Sequence, residues 1–98
     1  MTVNTNLTDK KLDVEIIGRL DTTTAPELEA KLSEFDDISE VVFDFSKLEY
    51  ISSAGLRVLL AEQKSMNSKS GKMVIRNVND TIMEVFEITG FVDILTIE

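Results

Sequence analysis

The stretch Tyr50–Leu60, YISSAGLRVLL, joins an apolar run to the longest helical pattern in the chain. Two serines and two small residues open that pattern. Leu56, Leu59 and Leu60 then recur at helical spacing, and the pattern runs on to Lys69. Ser70-Gly71 ends it, with Gly71 able to adopt a positive φ. Upstream, residues 40–45 (EVVFDF) form a short run rich in β-branched and aromatic residues. It reads as a strand buried on both faces, as parallel strands usually are. Asp44 near its end is unexpected there, and Ser46–Tyr50 reads as a connector. A buried strand followed by a long amphipathic helix is the signature of an α/β fold.

The rest of the chain repeats that alternation. Residues 2–8 and 11–18 read as two strands around a turn at Asp9-Lys10, the first polar enough to lie at an edge. Thr24 and Glu27 have capping-box spacing, and Pro26 fits the first helical turn. Ala25, Leu28, Leu32 and Phe35 give that helix one apolar stripe, ending near Phe35. Residues 72–77 read as a strand. Thr81 to Ile88 read as a helix capped by Asp80 or Thr81, with Ile82, Val85 and Phe86 inward and Gly90 after its end. Residues 91–97 finish as a short strand or docked tail. The order predicts a single α/β domain over residues 1–98, with a largely parallel sheet and an antiparallel edge strand.

Composition narrows the function. The chain has 98 residues, no cysteine and no histidine. Disulfides, thiolate zinc sites and histidine-based acid/base catalysis are therefore excluded, and no Ser-His-Asp triad can be assembled within it. The formal net charge of −8 opposes binding to nucleic acid or anionic lipid and favours a basic partner surface. It also serves simply to keep a small domain soluble. No run is long and apolar enough to span a bilayer, and residues 1–10 do not read as a signal peptide. The expected location is the cytoplasm, without membrane insertion.

The paired hydroxyls at the helix mouth admit four readings. Ser52 or Ser53 can cap the helix. A nucleophile has no G-x-S-x-G elbow, no histidine to deprotonate it, and no Ser-x-x-Lys spacing that would offer a lysine base. An anion cradle has the helix N-terminus but no glycine-rich phosphate loop. A phosphoacceptor fits physically, because a phosphoserine here adds about −1.5 to −2 charge where the helix dipole tolerates it. Beyond the serines, Ala54, Val58 and Ala61 lie roughly opposite the leucine face, flanked by Arg57 and Glu62. That strip is either a contact surface or the seat of a neighbouring helix over Val58.

Three segments carry a family resemblance. Asp44–Leu56 (DFSKLEYISSAGL) resembles the signature of STAS domains, specifically the bacterial anti-sigma factor antagonists. Gly18-Arg19-Leu20-Asp21 with the threonines after it, and Phe86–Phe91 (FEITGF), are similar to two further family segments, in the same order. The resemblance implies a mixed sheet with helices packed mainly on one face, and a regulatory binding module without cofactor or metal, not an enzyme. It implies that the unphosphorylated protein binds an anti-sigma factor with serine kinase activity and frees the sigma factor. Phosphorylation then breaks the complex, and a serine phosphatase restores it. The family's phosphoserine falls on Ser53, with Ser52 as fallback, standing where the family usually has aspartate. Asp21, Thr22, Ser52, Ala54, Arg57, Val58 and Ala61 are the expected partner contacts. STAS domains also serve as docked subunits of lipid-transport ATPases or stress-signalling complexes, which is the alternative. A nucleotide-binding protein and a structural oligomerisation domain are more distant ones.

Overall fold

The computed structural model describes residues 1–98. Strands β1 (Thr2–Thr8) and β2 (Lys11–Leu20) form an antiparallel hairpin. Asp9 turns the corner at φ +57°, a left-handed conformation that aspartate tolerates better than most residues. Helix α1 (Ala25–Leu32) leads to β3 (Glu40–Asp44), a short strand β4 (Leu48–Ile51) and the long helix α2 (Ser53–Ser68). Strand β5 (Lys72–Arg76), helix α3 (Asp80–Thr89) and a single 3-10 turn at Phe91–Asp93 complete the chain.

The sheet runs β1-β2-β3-β5, with β4 pairing β2 beyond the end of β3. Only the β1–β2 pair is antiparallel. The mixed sheet expected from the sequence is therefore present. Period-two alternation sorts its faces. Leu12, Val14 and Ile16 of β2 are buried with Val41, Phe43, Met73 and Ile75 against the helices. Asn4, Asn6, Asp13, Glu15 and Asp44 occupy the opposite, helix-free face. Val41, Val42 and Phe43 are all buried, so β3 is covered on both sides as expected.

Several local expectations are corrected. β4 begins in the segment read as a connector and runs one residue past it; four residues with only Leu48 and Ile51 buried leave too short a pattern to recognise. Thr24 does not cap α1 through a capping box. Its backbone is helical and its hydroxyl instead donates to the Arg19 carbonyl at 2.8 Å and accepts from the Asp21 N–H at 2.8 Å. α1 stops at Leu32, three residues before Phe35. The left-handed residue after α2 is Ser70 (φ +57°), not Gly71. Gly71 sits in a crowded place, since a Cβ there would lie 2.7 Å from Met66 Cε and 3.0 Å from the Ser39 carbonyl oxygen. α3 is capped by Asn79, whose Oδ1 accepts from the Ile82 N–H at 2.9 Å, ahead of both expected residues. Gly90 ends α3 in the left-handed region as expected. The tail docks on β5, with Ile97 bridging Ile75 in parallel.

Candidate functional site

The parallel pairing of β2 with β4 builds the site. Arg19 and Leu20 lie beside Tyr50 and Ile51 across a register shift at Gly18. The loop leaving β2 therefore meets the start of α2, and the Ser52 N–H donates to the Leu20 carbonyl at 2.9 Å. Gly55 lets the first turn of α2 settle onto these strand ends. A Cβ at Gly55 would lie 2.8 Å from Leu20 Cγ and 2.9 Å from Ile51 Cγ1. The glycine of Ser-Ser-Ala-Gly thus has a steric cause.

The two serines divide. Ser52 holds the N-cap position, with extended backbone and a carbonyl that accepts from the Leu56 N–H at 3.0 Å. Its hydroxyl makes no cap hydrogen bond and is buried without any partner. Ser53 is the first helical residue and is exposed. The reading of Ser53 as cap is therefore corrected, since the capping position belongs to its neighbour. The N–H groups of Ser53, Ala54 and Gly55, at the first turn of the helix, have no preceding turn to bond to. The positive end of the α2 dipole faces the same surface.

Asp21 is locked beside this helix end. One of its carboxylate oxygens accepts from the Thr23 N–H at 3.0 Å and the Thr24 N–H at 3.2 Å. The other lies 3.8 Å from Arg19 Nε. The Thr24 N–H above all, helped by the Thr23 N–H, the Thr24 hydroxyl and the Arg19 charge, holds the Asp21 carboxyl below the usual carboxylate range against the opposing effect of desolvation. Asp21 is thus an anion at neutral pH. Arg19 also lies over the Tyr50 ring, 4.2 Å from its centroid. Thr22 is exposed at the tip of this loop.

Along α2 the expected contact strip survives in part. Arg57 and Ala61 are exposed and Ala54 is half-buried. Val58 is only 7% exposed and belongs to the core; it is corrected from contact residue to packing residue. α1 lies alongside α2 and turns the buried arc of α2 toward Val58, leaving Leu60 half-buried instead. Between the two helices runs a groove of about 370 Å³ lined by Leu32, Phe35, Val58, Ala61, Glu29 and Glu62 among others. Burial raises the Glu62 carboxyl above its usual range, with Lys69 opposing. No group of acidic side chains is arranged to hold a metal ion.

Sequence reasoning missed two polar staples behind the site. Asp44 accepts from the Ser46 N–H at 2.9 Å and from Asn77 Nδ2 at 3.1 Å. Those bonds, the first foremost, hold its carboxyl below the usual range, and they explain an aspartate at a strand end. Asn79 caps α3 and donates from Nδ2 to the Leu48 carbonyl at 2.9 Å, tying α3 to β4. The Asp44–Ser46 spacing was readable as an Asx turn; the long-range partners were not.

The strand pairing, the glycine-seated helix and the exposed serine beside a locked aspartate define a domain class. The chain belongs to the STAS domain family, whose model matches residues 2–98. Among its relatives is a putative anti-sigma factor antagonist, BtrV of Bordetella bronchiseptica, 39% identical over 97 residues, covering 93% of this chain and 84% of the relative. The anti-sigma-B factor antagonist of Staphylococcus aureus is 31% identical over 97 residues, covering 97% and 90%. In fold, the chain resembles the anti-sigma factor antagonist SpoIIAA in its unphosphorylated form, with a TM-score of 0.80 at 17% identity, covering 99% and 87%. The phosphorylated form of the Bacillus cell fate determinant SpoIIAA superposes with a TM-score of 0.79 at 18% identity, covering 99% and 91%. No helix is long and apolar enough to cross a membrane.

Proposed function

We propose that this protein is an anti-sigma factor antagonist switched by phosphorylation of Ser53. The unphosphorylated form binds an anti-sigma factor that is also a serine kinase, and so frees the sigma factor. The kinase transfers a phosphoryl group to the Ser53 hydroxyl, and the complex separates. A serine phosphatase returns the protein to its binding form. Binding, not catalysis, is the task.

The observation that carries this reading is the division of the serines. Ser53 is exposed at the first position of α2, whereas the Ser52 hydroxyl is buried. A kinase reaches the first without unfolding the helix and not the second. Ser53 is thus preferred to Ser52 as the acceptor. The names of the relatives from Bordetella and Staphylococcus support the antagonist role.

The switch follows from electrostatics. Unmodified, the helix end offers a hydroxyl, unpaired N–H groups and the exposed Thr22, Arg57 and Ala61. A partner packing there meets one anion, Asp21, balanced by Arg19 beside it and by Arg57 on the helix. Phosphorylation sets about two negative charges beside the Asp21 anion. The helix dipole stabilises the dianion in the free protein. In the complex, the dianion must instead be desolvated next to a like charge. A penalty of about 3–5 kcal/mol would weaken binding some hundred- to several-thousand-fold.

The test is capture from a lysate on immobilised wild type, Ser53→Ala and Ser53→Asp. Wild type and Ser53→Ala should retain a kinase-like anti-sigma factor, and Ser53→Asp should lose it. Equal capture by all three would refute the switch and favour a permanently docked subunit.

A further inference from the structure

We infer that β1 is a homodimerisation edge, which pairs antiparallel with β1 of a second copy about a two-fold axis at Thr5.

β1 is the free margin of the sheet. It pairs with β2 along its whole length, and its other side has no strand. The opposite margin is already occupied in part, because Ile75 bonds the tail at Thr96 and Glu98. Free edges are ordinarily protected by charge, proline, bulges or brevity. β1 has none of these. It runs seven residues, TVNTNLT, without a charged residue or a proline, and its register with β2 is unbroken. Leu7 stands on this edge 49% exposed. In a chain of net charge −8, this uncharged strip is where a second copy approaches without a like-charge clash.

The strand is also a palindrome by residue class. Centred on Thr5, an antiparallel copy sets Thr2 against Thr8, Val3 against Leu7, and Asn4 against Asn6. Each residue meets its like on the correct face. Val3 and Leu7 point to the helical side, since they pair with Ile16 and Leu12 of β2, both buried. The exposed Leu7 would gain the second copy's Val3, and the apolar row Leu12–Leu7 would continue across the axis into Val3 and Ile16 of the other copy. Asn4 and Asn6 would meet on the helix-free face as an amide ladder. A register slipped by one residue would set apolar against polar side chains and lose this match.

The size of the contact sets its strength. Seven residues span about 24 Å and offer roughly six to eight backbone hydrogen bonds. One strand pair buries less than the ~1,200 Å² of an ordinary stable interface. The dimer is therefore weak and concentration-dependent, with dissociation in the micromolar range or above. It leaves Ser53 and the antagonist reading untouched, since β1 contributes nothing to the α2 surface.

The test uses sedimentation velocity from about 1 µM to 1 mM, and cross-linking. The chain has no cysteine, so a single introduced thiol reports one position. Thr5→Cys would face its own copy within the ~4.4–6.8 Å that a disulfide spans. Asn6→Cys would lie roughly 8 Å from its copy, outside that range. Thr5→Cys should oxidise to a covalent dimer at least tenfold faster than Asn6→Cys. The double variant Asn4→Lys/Asn6→Lys sets lysines opposite each other twice across the axis. Within one copy those positions neighbour Glu15 and Asp13, so the fold is retained. Its dimer should dissociate at least tenfold more readily. A monomer throughout the concentration range, equal oxidation of the two cysteine variants, or association indifferent to the lysines would each overturn the proposal. So would a wild type that stays monomeric while the lysines abolish capture of the partner, which would assign this edge to a heterologous strand.

Discussion

Ser52→Ala should stabilise the protein, although Ser52 stands where a helix cap is expected. Replacing an N-cap serine by alanine ordinarily costs about 1 kcal/mol, because a backbone N–H loses its acceptor. Here the hydroxyl accepts nothing and is buried without a partner. A buried hydroxyl left unpaired costs about 1–3 kcal/mol of desolvation. Removing it recovers part of that, less a small packing loss, for a net gain of about 0.5–1.5 kcal/mol. For a domain of this size that raises Tm by about 3–8 °C. In urea, with a slope near 1–3 kcal/mol/M, the midpoint rises by roughly 0.5 M at unchanged slope. Asn79→Ala is the internal reference. It removes a cap that does operate and strands the Leu48 carbonyl, so it should lose about 1–3 kcal/mol. Opposite signs for the two variants support the argument. A loss of about 1 kcal/mol for Ser52→Ala would refute it, and would mean that the hydroxyl caps α2 in solution.

Three further outcomes follow from the same packing and charges. Gly55→Ala places a Cβ against Leu20 and Ile51, both buried and unable to yield; overpacking of about 1–3 kcal/mol should exceed the ~1 kcal/mol of helix propensity gained, and denaturant melts should show a net loss. Burial raises the folded-state pKa of Glu62, so stability falls as pH rises from the unfolded value of about 4.3 through the folded one. Glu62→Gln should therefore be more stable than wild type at pH 7 and equal to it below about pH 4, as melts at both pH values would reveal. Asp44 has its pKa depressed, so its contribution is present above the unfolded pKa of about 3.9 and is lost as pH falls through the folded one. Asp44→Asn should accordingly flatten the acid limb of the stability curve, and an unchanged limb would contradict the assigned hydrogen bonds.

The fold was legible where burial wrote a long pattern. β2 alternates strictly over Leu12, Val14 and Ile16, β3 buries the apolar run Val41–Phe43, and α2 opens with Leu56, Leu59 and Leu60 at helical spacing. β4 escaped because its identity comes from the strand it meets. Only the extension of β2 past Gly18, with its register shift, gives Leu48–Ile51 a partner. The capping errors share one cause. Thr24, Asp80 and Thr81 have the right chemistry, but capping depends on backbone conformation. At α3 the chain gives the work to Asn79, whose amide also bonds the Leu48 carbonyl; α1 has no side-chain cap, and Asp21 instead ties Thr23 and Thr24 in the turn before it.

The serine pair marks the limit of what spacing alone can decide. Neighbouring residues at a helix start differ by about 100° in direction. Ser52, extended at the N-cap, and Ser53, the first helical residue, are free to face different ways, and spacing alone carries no sign of which faces inward. The choice is made by Gly55, which brings the helix mouth down onto Leu20 and Ile51, and by the Ser52 N–H, which bonds Leu20. Together they turn Ser52 inward at the cost of an unpaired hydroxyl. Val58 is decided in the same way, by α1 lying against α2. The exposed Ser53 is thus a consequence of how tightly α2 seats on the sheet. Loosening that seat through Gly55→Ala should expose the Ser52 hydroxyl and let a serine kinase modify both positions. Phosphopeptide mapping of Gly55→Ala beside wild type reads this directly, and modification confined to Ser53 in both would sever the proposed link between packing and acceptor choice.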